Sequence, residues 1–236
     1  MFKSIVLHER RADLSRAQFM EHWINVHTPM SHGALYLHGY VCHEVLADVT
    51  PPTVERLQLE AEVDGIAEMW FETPDGLLTL PEQPSVKRWF SDGPNFIGRR
   101  MRFMAEEFVL QKPKRVADRA HKLIALVGLN ATADHLRSED WLREIMQSTA
   151  GDLGETRGVC VSQIVSHHPT ASVAGFPMDK VNCVLEVLAD TAASVASTAE
   201  RFANALGLAG IESIRMRAFS TSEMVIRVPT EVPMHP

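Results

Sequence analysis

The sequence predicts an α+β fold built from two ferredoxin-like β-α-β-β-α-β repeats, residues 1–112 and 121–236, that form one barrel within the chain. Three observations carry this. Strand-like and helix-like segments recur in the same order on either side of residues 111–120. The joint between them, Gln111-Lys112-Pro113-Lys114-Arg115-Val116-Ala117-Asp118-Arg119-Ala120, is polar and basic, as a linker is. The strands are rich in Val, Ile, Phe and Met on both faces. A four-stranded sheet with helices on one side therefore keeps a second apolar face, and packing the two sheets together buries it.

Each element has its own signal. Ser4 to His8 is a short apolar strand. Ser15 opens a helix, with Gln18 three residues on to complete a capping box. That helix carries Phe19, Met20, Trp23, Ile24 and His27 along one stripe, and Pro29 lies near its end. Gly33 and Gly39 lead into a strand from Tyr40 to Leu46, and Pro51-Pro52 marks the loop before a strand from Gly65 to Phe71. A helical region over 74–96, broken by Pro81 and Pro84, precedes a strand from Phe103 to Leu110. The second pass reads Lys122–Val127 as strand, Ser138 to Ala150 as helix, and Val159–Val165 and Val181–Leu188 as strands. Thr191 to Leu206 is an Ala-rich helix, and Ile214 to Ile226 the last strand.

Composition narrows the function classes. The 236 residues are 45% hydrophobic and 22% charged, an ordinary globular balance that excludes fibrous and disordered classes. No apolar run reaches the ~18 residues of a membrane span, and the first ten residues meet charge too early for a secretory core. A net charge of −7 disfavours nucleic-acid and anionic-membrane partners. Cys42, Cys160 and Cys183 form neither a disulfide framework nor a zinc knuckle. The expectation is a cytoplasmic protein with a small-molecule partner, no nucleic acid and no membrane.

Histidine is distributed unevenly: His8, His22, His27, His32, His38 and His43 are six of the eleven. Histidine suits proton transfer near neutral pH. His27 continues the apolar stripe of Trp23 and Phe19, so it is either a buried core histidine or a buried base. Tyr40, one of two tyrosines, shares a strand face with His38 and Cys42 by alternation. It is either a core aromatic or a donor to a developing oxyanion. His22 and His27 are five apart, about 140° round an α-helix, and so are not expected to share a face or a metal. Ligand spacing is absent elsewhere, and no metal site is expected. The run Arg99-Arg100-Met101-Arg102 reads as a solvated strand edge with the capacity to hold a carboxylate.

Several of these residues fall into one pattern. Phe19-x-x-His22-Trp23-x-x-x-His27-x-Pro29-Met30 followed by Gly39-Tyr40 resembles the signature of the EthD family of dimeric α+β barrel proteins. Asp64-Gly65-Ile66-Ala67-Glu68-Met69-Trp70-Phe71, Trp89-Phe90 through Asp92-x-x-Asn95-Phe96-Ile97, and Phe103 to Val109 extend the resemblance over residues 1–112. The second half follows the same element order without those marks and resembles a diverged repeat. The resemblance implies a cleft between sheet and helices and, by similarity to lactone methyl-isomerases of that family, cofactor-free chemistry with His27 and Tyr40 in it. Where those enzymes carry a cysteine this chain has Met69, and their loop histidine has no counterpart in 51–62.

The resulting expectation is a cofactor-independent lyase or isomerase acting on an aromatic or lactone-type compound of catabolism. His27 moves a proton α to a carbonyl, with its pKa set by the apolar face around it, and Tyr40 holds the oxygen. His22, His38 and Met69 complete the surroundings, and Trp23, Trp70, Trp89 and Phe96 shape an apolar wall. Two alternatives compete. One is a haem- or oxygen-dependent oxidoreductase, with an axial ligand from His121, His135, His167 or His168. The other is a non-catalytic accessory barrel for an oxygenase system. Association of two chains into a homodimer is compatible with all three.

Overall fold

A computed structural model describes residues 2–73, 76, 79–112, 120–129, 156–168, 173–208 and 214–228. The first half contains β1 (Phe2–Arg10), α1 (Arg16–His22), β2 (Leu37–Asp48), β3 (Glu55–Arg56), β4 (Gly65–Phe71), α2 (Lys87–Asp92) and β5 (Ile97–Gln111). The second contains β6 (His121–Leu129), β7 (Thr156–His168), β8 (Cys183–Ala189), α3 (Ala192–Leu208) and β9 (Ile214–Arg227). The helix expected over Ser138–Ala150 lies outside the described residues, as does most of the expected joint.

Strand order runs β2-β4-β1-β5-β7-β8-β6-β9, and β9 returns to pair with β2. Within each half the order is second-third-first-fourth strand, so the halves share one topology. Every pair in the ring is antiparallel. The fourth strand of each half pairs with the second strand of the other, through β5–β7 and β9–β2. The two sheets thus do more than pack face to face: they join edge to edge into a closed eight-stranded barrel, and closure removes the open edges. The two-residue β3 adds to β9 in parallel.

Alternation splits each strand between the barrel interior and an outer face. Ile5, Leu7, Val45, Ile66, Phe103, Ile124, Leu126 and Phe219 fill part of the interior. The rest is ionic. Lys3 Nζ lies 2.9 Å from Glu68 and 2.8 Å from Glu107 and also pairs with Glu186, while Lys122 bonds Glu68 and Glu186 at 2.7 Å each. Burial opposes the charge on Lys3, yet its pKa is raised well above the usual value because three carboxylates surround it. Lys3, Glu68 and Glu107 come from the first half, and Lys122 and Glu186 from the second, so the cluster ties the halves together.

The outer faces are covered by helices. Among the described residues no helix is long and apolar enough to cross a membrane. The region expected as a broken helix over 74–96 becomes 3-10 turns at Leu80–Glu82, Pro84–Val86 and Gly93–Asn95 with α2 among them, and a proline sits at the start of each turn. Proline has no N–H to give, so it restarts a turn instead of continuing one.

Candidate functional site

The capping box forms as the sequence predicts: Ser15 Oγ accepts from Gln18 N–H at 3.2 Å, and Gln18 Oε1 accepts from Ser15 N–H at 2.9 Å. The α-helix does not continue to His27. After His22 the chain widens into a π-helix over Trp23–His27, closed by the Thr28 N–H bonding to Trp23 O five residues back. A 3-10 segment, Thr28–Gly33, follows. In an α-helix His22 and His27 point about 140° apart. The wider π turn brings residue i+5 back under residue i, and both rings reach one carboxylate. His22 Nε2 lies 3.0 Å and His27 Nδ1 2.9 Å from Asp92 Oδ2. The expectation that the two histidines do not share a face is therefore corrected, because the helix changes period between them.

Asp92 ends α2, is buried, and also accepts from Asn95 Nδ2 at 2.9 Å. Burial alone raises a carboxylate pKa, but these three donors outweigh it and hold Asp92 below its usual value. As a carboxylate it only accepts, so His27 carries its proton on Nδ1 and leaves Nε2 with a lone pair. Burial lowers the His27 pKa to about 4, with His22 and Arg100 pushing the same way against Asp92. The ring lies among Phe96 at 4.8 Å and Trp89 at 5.8 Å.

Beneath His27 is a cavity of about 40 Å³, room for about three waters. Its floor is the outer face of four neighbouring strands: Tyr40 of β2, Ala67 and Met69 of β4, Val6 and His8 of β1, and Ile97, Arg100 and Arg102 of β5. His27, Trp89 and Phe90 complete the lining. The Tyr40 phenol accepts from Trp23 Nε1 at 3.2 Å, and burial raises its pKa well above the usual value, so it stays a proton donor. Trp23 can lie there because position 65 is glycine: a Cβ on Gly65 would stand 2.2 Å from the indole.

The structure thus brings together His27, Tyr40, Met69 and Trp89 at the cavity. His22, Trp23 and Phe96 support it from behind: Trp23 holds Tyr40, and Phe96 stacks on His22 at 5.0 Å. Two expected residues lie elsewhere. Trp70 faces the barrel interior, where its Nε1 donates to Glu107 at 3.0 Å and Lys3 Nζ sits 4.7 Å over its ring. Alternation decides this, since Met69 and Trp70 as neighbours on β4 must face opposite ways. His38 falls at a bulge, where pairing with β4 steps from Leu37 to Gly39, so Leu37 and not His38 joins the Tyr40 face.

The sequence gives His8 and Asp92 no place in the site, and reads Arg100 and Arg102 first as a solvated edge and only second as able to hold a carboxylate. The arginine run is not a solvated edge: Arg100 is buried and both Arg100 and Arg102 line the cavity. Strand alternation linking Val6 to His8, and Arg100 to Arg102, is the signal that could have found them. In the second half, His121 begins the outer-face row of β6 that runs on to Leu123 and Ala125. His135 and the side chains of His167 and His168 lie outside the described residues. The described outer face there is filled by α3. Among the described residues no group of three or more His, Cys, Asp or Glu is placed to hold a metal ion.

Comparison with known proteins gives four matches. The EthD domain profile matches residues 11–100. The 4-carboxymethyl-4-methylbutenolide mutase of Pseudomonas reinekei is 31% identical over 109 residues, which is 46% of this chain and 100% of that protein. Among solved structures, an anthrone oxidase-like protein superposes with a TM-score of 0.56 at 7% identity, over 99% of this chain and 96% of its own. A mutant chlorite dismutase from Candidatus Nitrospira defluvii does so with a TM-score of 0.52 at 7% identity, over 93% of this chain and 90% of its own. At those identities the likeness is one of fold.

Proposed function

Because the chain belongs to the EthD family, we propose that it is a small-molecule isomerase or lyase that moves a proton within a lactone-type or related enolisable compound. Residues 1–112 supply the site, and residues 121–236, a diverged repeat, complete the barrel. His27 Nε2 takes the proton from the carbon α to a carbonyl, and its Nδ1–H stays on Asp92, which holds the tautomer and stabilises the imidazolium as it forms. Tyr40 donates its O–H to the oxygen that gains charge; Trp23 Nε1 already occupies one lone pair of the phenol, which leaves its proton to point elsewhere. His27 then returns the proton to a different carbon, giving an isomer, or to a leaving group, giving elimination. One proton moves and no electrons leave the substrate, so this chemistry asks for no redox group.

The observation that carries the reading is the Asp92–His27 pair beside Tyr40 at a partly open cavity, which takes the reacting end of a substrate larger than itself. The mutase among the relatives supports it, since its name describes an isomerisation of a butenolide. Met69 in place of a cysteine sets this chain apart from any mechanism with a thiolate there. The test is hydrogen exchange of 4-carboxymethyl-4-methylbutenolide in heavy water, followed by NMR. The wild type exchanges the protons of the carboxymethyl methylene, which is α to the carboxyl carbonyl and is the carbon from which elimination of the lactone oxygen takes a proton. His27→Gln lowers the rate on the order of 10²- to 10⁴-fold, and Tyr40→Phe on the order of 10²- to 10³-fold. Exchange that proceeds undiminished in a folded His27→Gln variant overturns the reading.

A further inference from the structure

The cavity holds more hydrogen-bond donors than His27 and Tyr40 account for. Arg100 and Arg102 stand at alternate positions of β5, and the register places His8 directly opposite Arg100 and Val6 opposite Arg102 on β1. Among the described residues three buried nitrogens of cavity side chains have no hydrogen-bond partner: Arg102 Nε, His8 Nδ1 and Trp89 Nε1. His8 is 6% exposed and Trp89 4%. A buried donor left unsatisfied is costly, and a buried guanidinium more so. Three of them round one cavity, on β1, β5 and α2, are hard to read as packing accidents. Arg102 Nε and Trp89 Nε1 can only donate and lack an acceptor, and neutral His8 can donate from Nδ1 in one of its two tautomers.

The charge points the same way. Among the described residues no aspartate or glutamate lines the cavity, and Asp92 behind His27 is engaged by His22, His27 and Asn95. Burial lowers the pKa of Arg100 and of Arg102 to about 10, and Arg100 adds to the effect on Arg102. Both remain cations at neutral pH. His8 is kept neutral by burial and by the positive field of Arg100, His27 and Arg102. The cavity therefore presents fixed positive charge within apolar walls, where an anion gains most.

Resting on the proposed proton-transfer reading, we infer that the substrate carries a carboxylate, and that Arg102 receives it together with Arg100 while Trp89 Nε1 or His8 Nδ1 donates to one of its oxygens. The flat fork of a guanidinium matches a carboxylate. An anchored carboxylate fixes the ring relative to His27. It also offsets the field of Arg100, which otherwise works against the imidazolium on His27.

Titration calorimetry with 4-carboxymethyl-4-methylbutenolide and its methyl ester tests this on the full chain. The acid is expected to bind the wild type at least about 10-fold more tightly than the ester. Arg102→Gln removes that preference by weakening the acid and leaving the ester unchanged. Arg102→Lys, which keeps the charge without the fork, retains part of it. Without ligand, Arg102→Gln melts at the wild-type temperature or above, because a desolvated charge is gone. Acid and ester binding alike, neither binding, or a preference that survives Arg102→Gln overturns the inference; if Arg102→Gln does not fold, full acid preference in Arg102→Lys does so.

Proton exchange keeps the two readings apart. Acid held through Arg102 with exchange independent of His27 leaves the carboxylate site standing and removes the catalytic reading. Ester exchanged through His27 as readily as the acid does the reverse.

Discussion

The two outer faces of the barrel share strand order and differ in almost everything they bury. Under α1 and α2 lie Tyr40, His8, Arg100 and Arg102 around a cavity. Under α3 lie Leu123, Ala125, Val159, Val161, Leu185 and Val187, which form one apolar cluster with Val195, Ala199 and Phe202 of the helix. The helices match what they cover. α3 is continuous over 17 residues with Ala and Val on its buried side, while the first-half segment passes from α to π to 3-10 within 18 residues. A regular helix serves close packing, and a changing period serves to aim two histidines at one carboxylate. The plain face also helps the polar one: Arg227 of β9 reaches across to donate to the backbone oxygens of His32, Ala34 and Leu37, and so holds the chain that follows the π turn.

The contrast can be broken most severely at the joint between the halves. Lys3→Met leaves Glu68 and Glu186 with Lys122 as their one lysine and takes from Glu107 its lysine partner, and the expected loss is about 3 to 5 kcal/mol in urea unfolding. Next is the packing face. Phe202, 1% exposed on α3, should cost about 3 to 4 kcal/mol when changed to alanine. The exchange rate of the remaining folded protein should stay within about twofold, since nothing catalytic is assigned to that face. A large drop would show that the second half shares in the site.

The pH dependence sharpens the polar side. The folded pKa of His27, about 4, lies below its unfolded value of 6.5, so the unfolded chain takes the proton first as pH falls. The stability this group contributes is complete above pH 6.5 and declines as pH drops toward 4, by up to about 3 kcal/mol. His27→Gln should flatten that part of the curve. For the same reason the His27-dependent exchange rate should be level through neutral pH and fall only in acid. The smallest effect is at the cap: Ser15→Ala loses one of two reciprocal hydrogen bonds and should cost about 1 kcal/mol.

Much of this was legible in the residues, and the exceptions have causes. The capping box of Ser15 and Gln18 is a local contact over three residues, and it forms as read. The strand from Gly65 to Phe71 has the limits its composition indicates. Aromatic character suggests Trp70 for the cavity wall, but alternation on β4 turns it inward, and the bulge that displaces His38 is invisible without its partner strand. Asp92 could be seen in the family pattern, yet its role depends on two rings from a helix 65 and 70 residues earlier.

What the sequence determined by itself is whatever depends on neighbours along the chain: element order, repeat topology, the cap, the turns broken by proline, and the stripe that ends at His27. Closure of the barrel through β5–β7 and β2–β9, the shift to a π turn, and the meeting of His8, Tyr40, Arg100 and Arg102 at one cavity were decided by the tertiary structure. Those features exist only when strands distant in sequence lie side by side. Trp23 had to fit against Gly65, and the ring of strands had to close before any of their side chains could share a cavity.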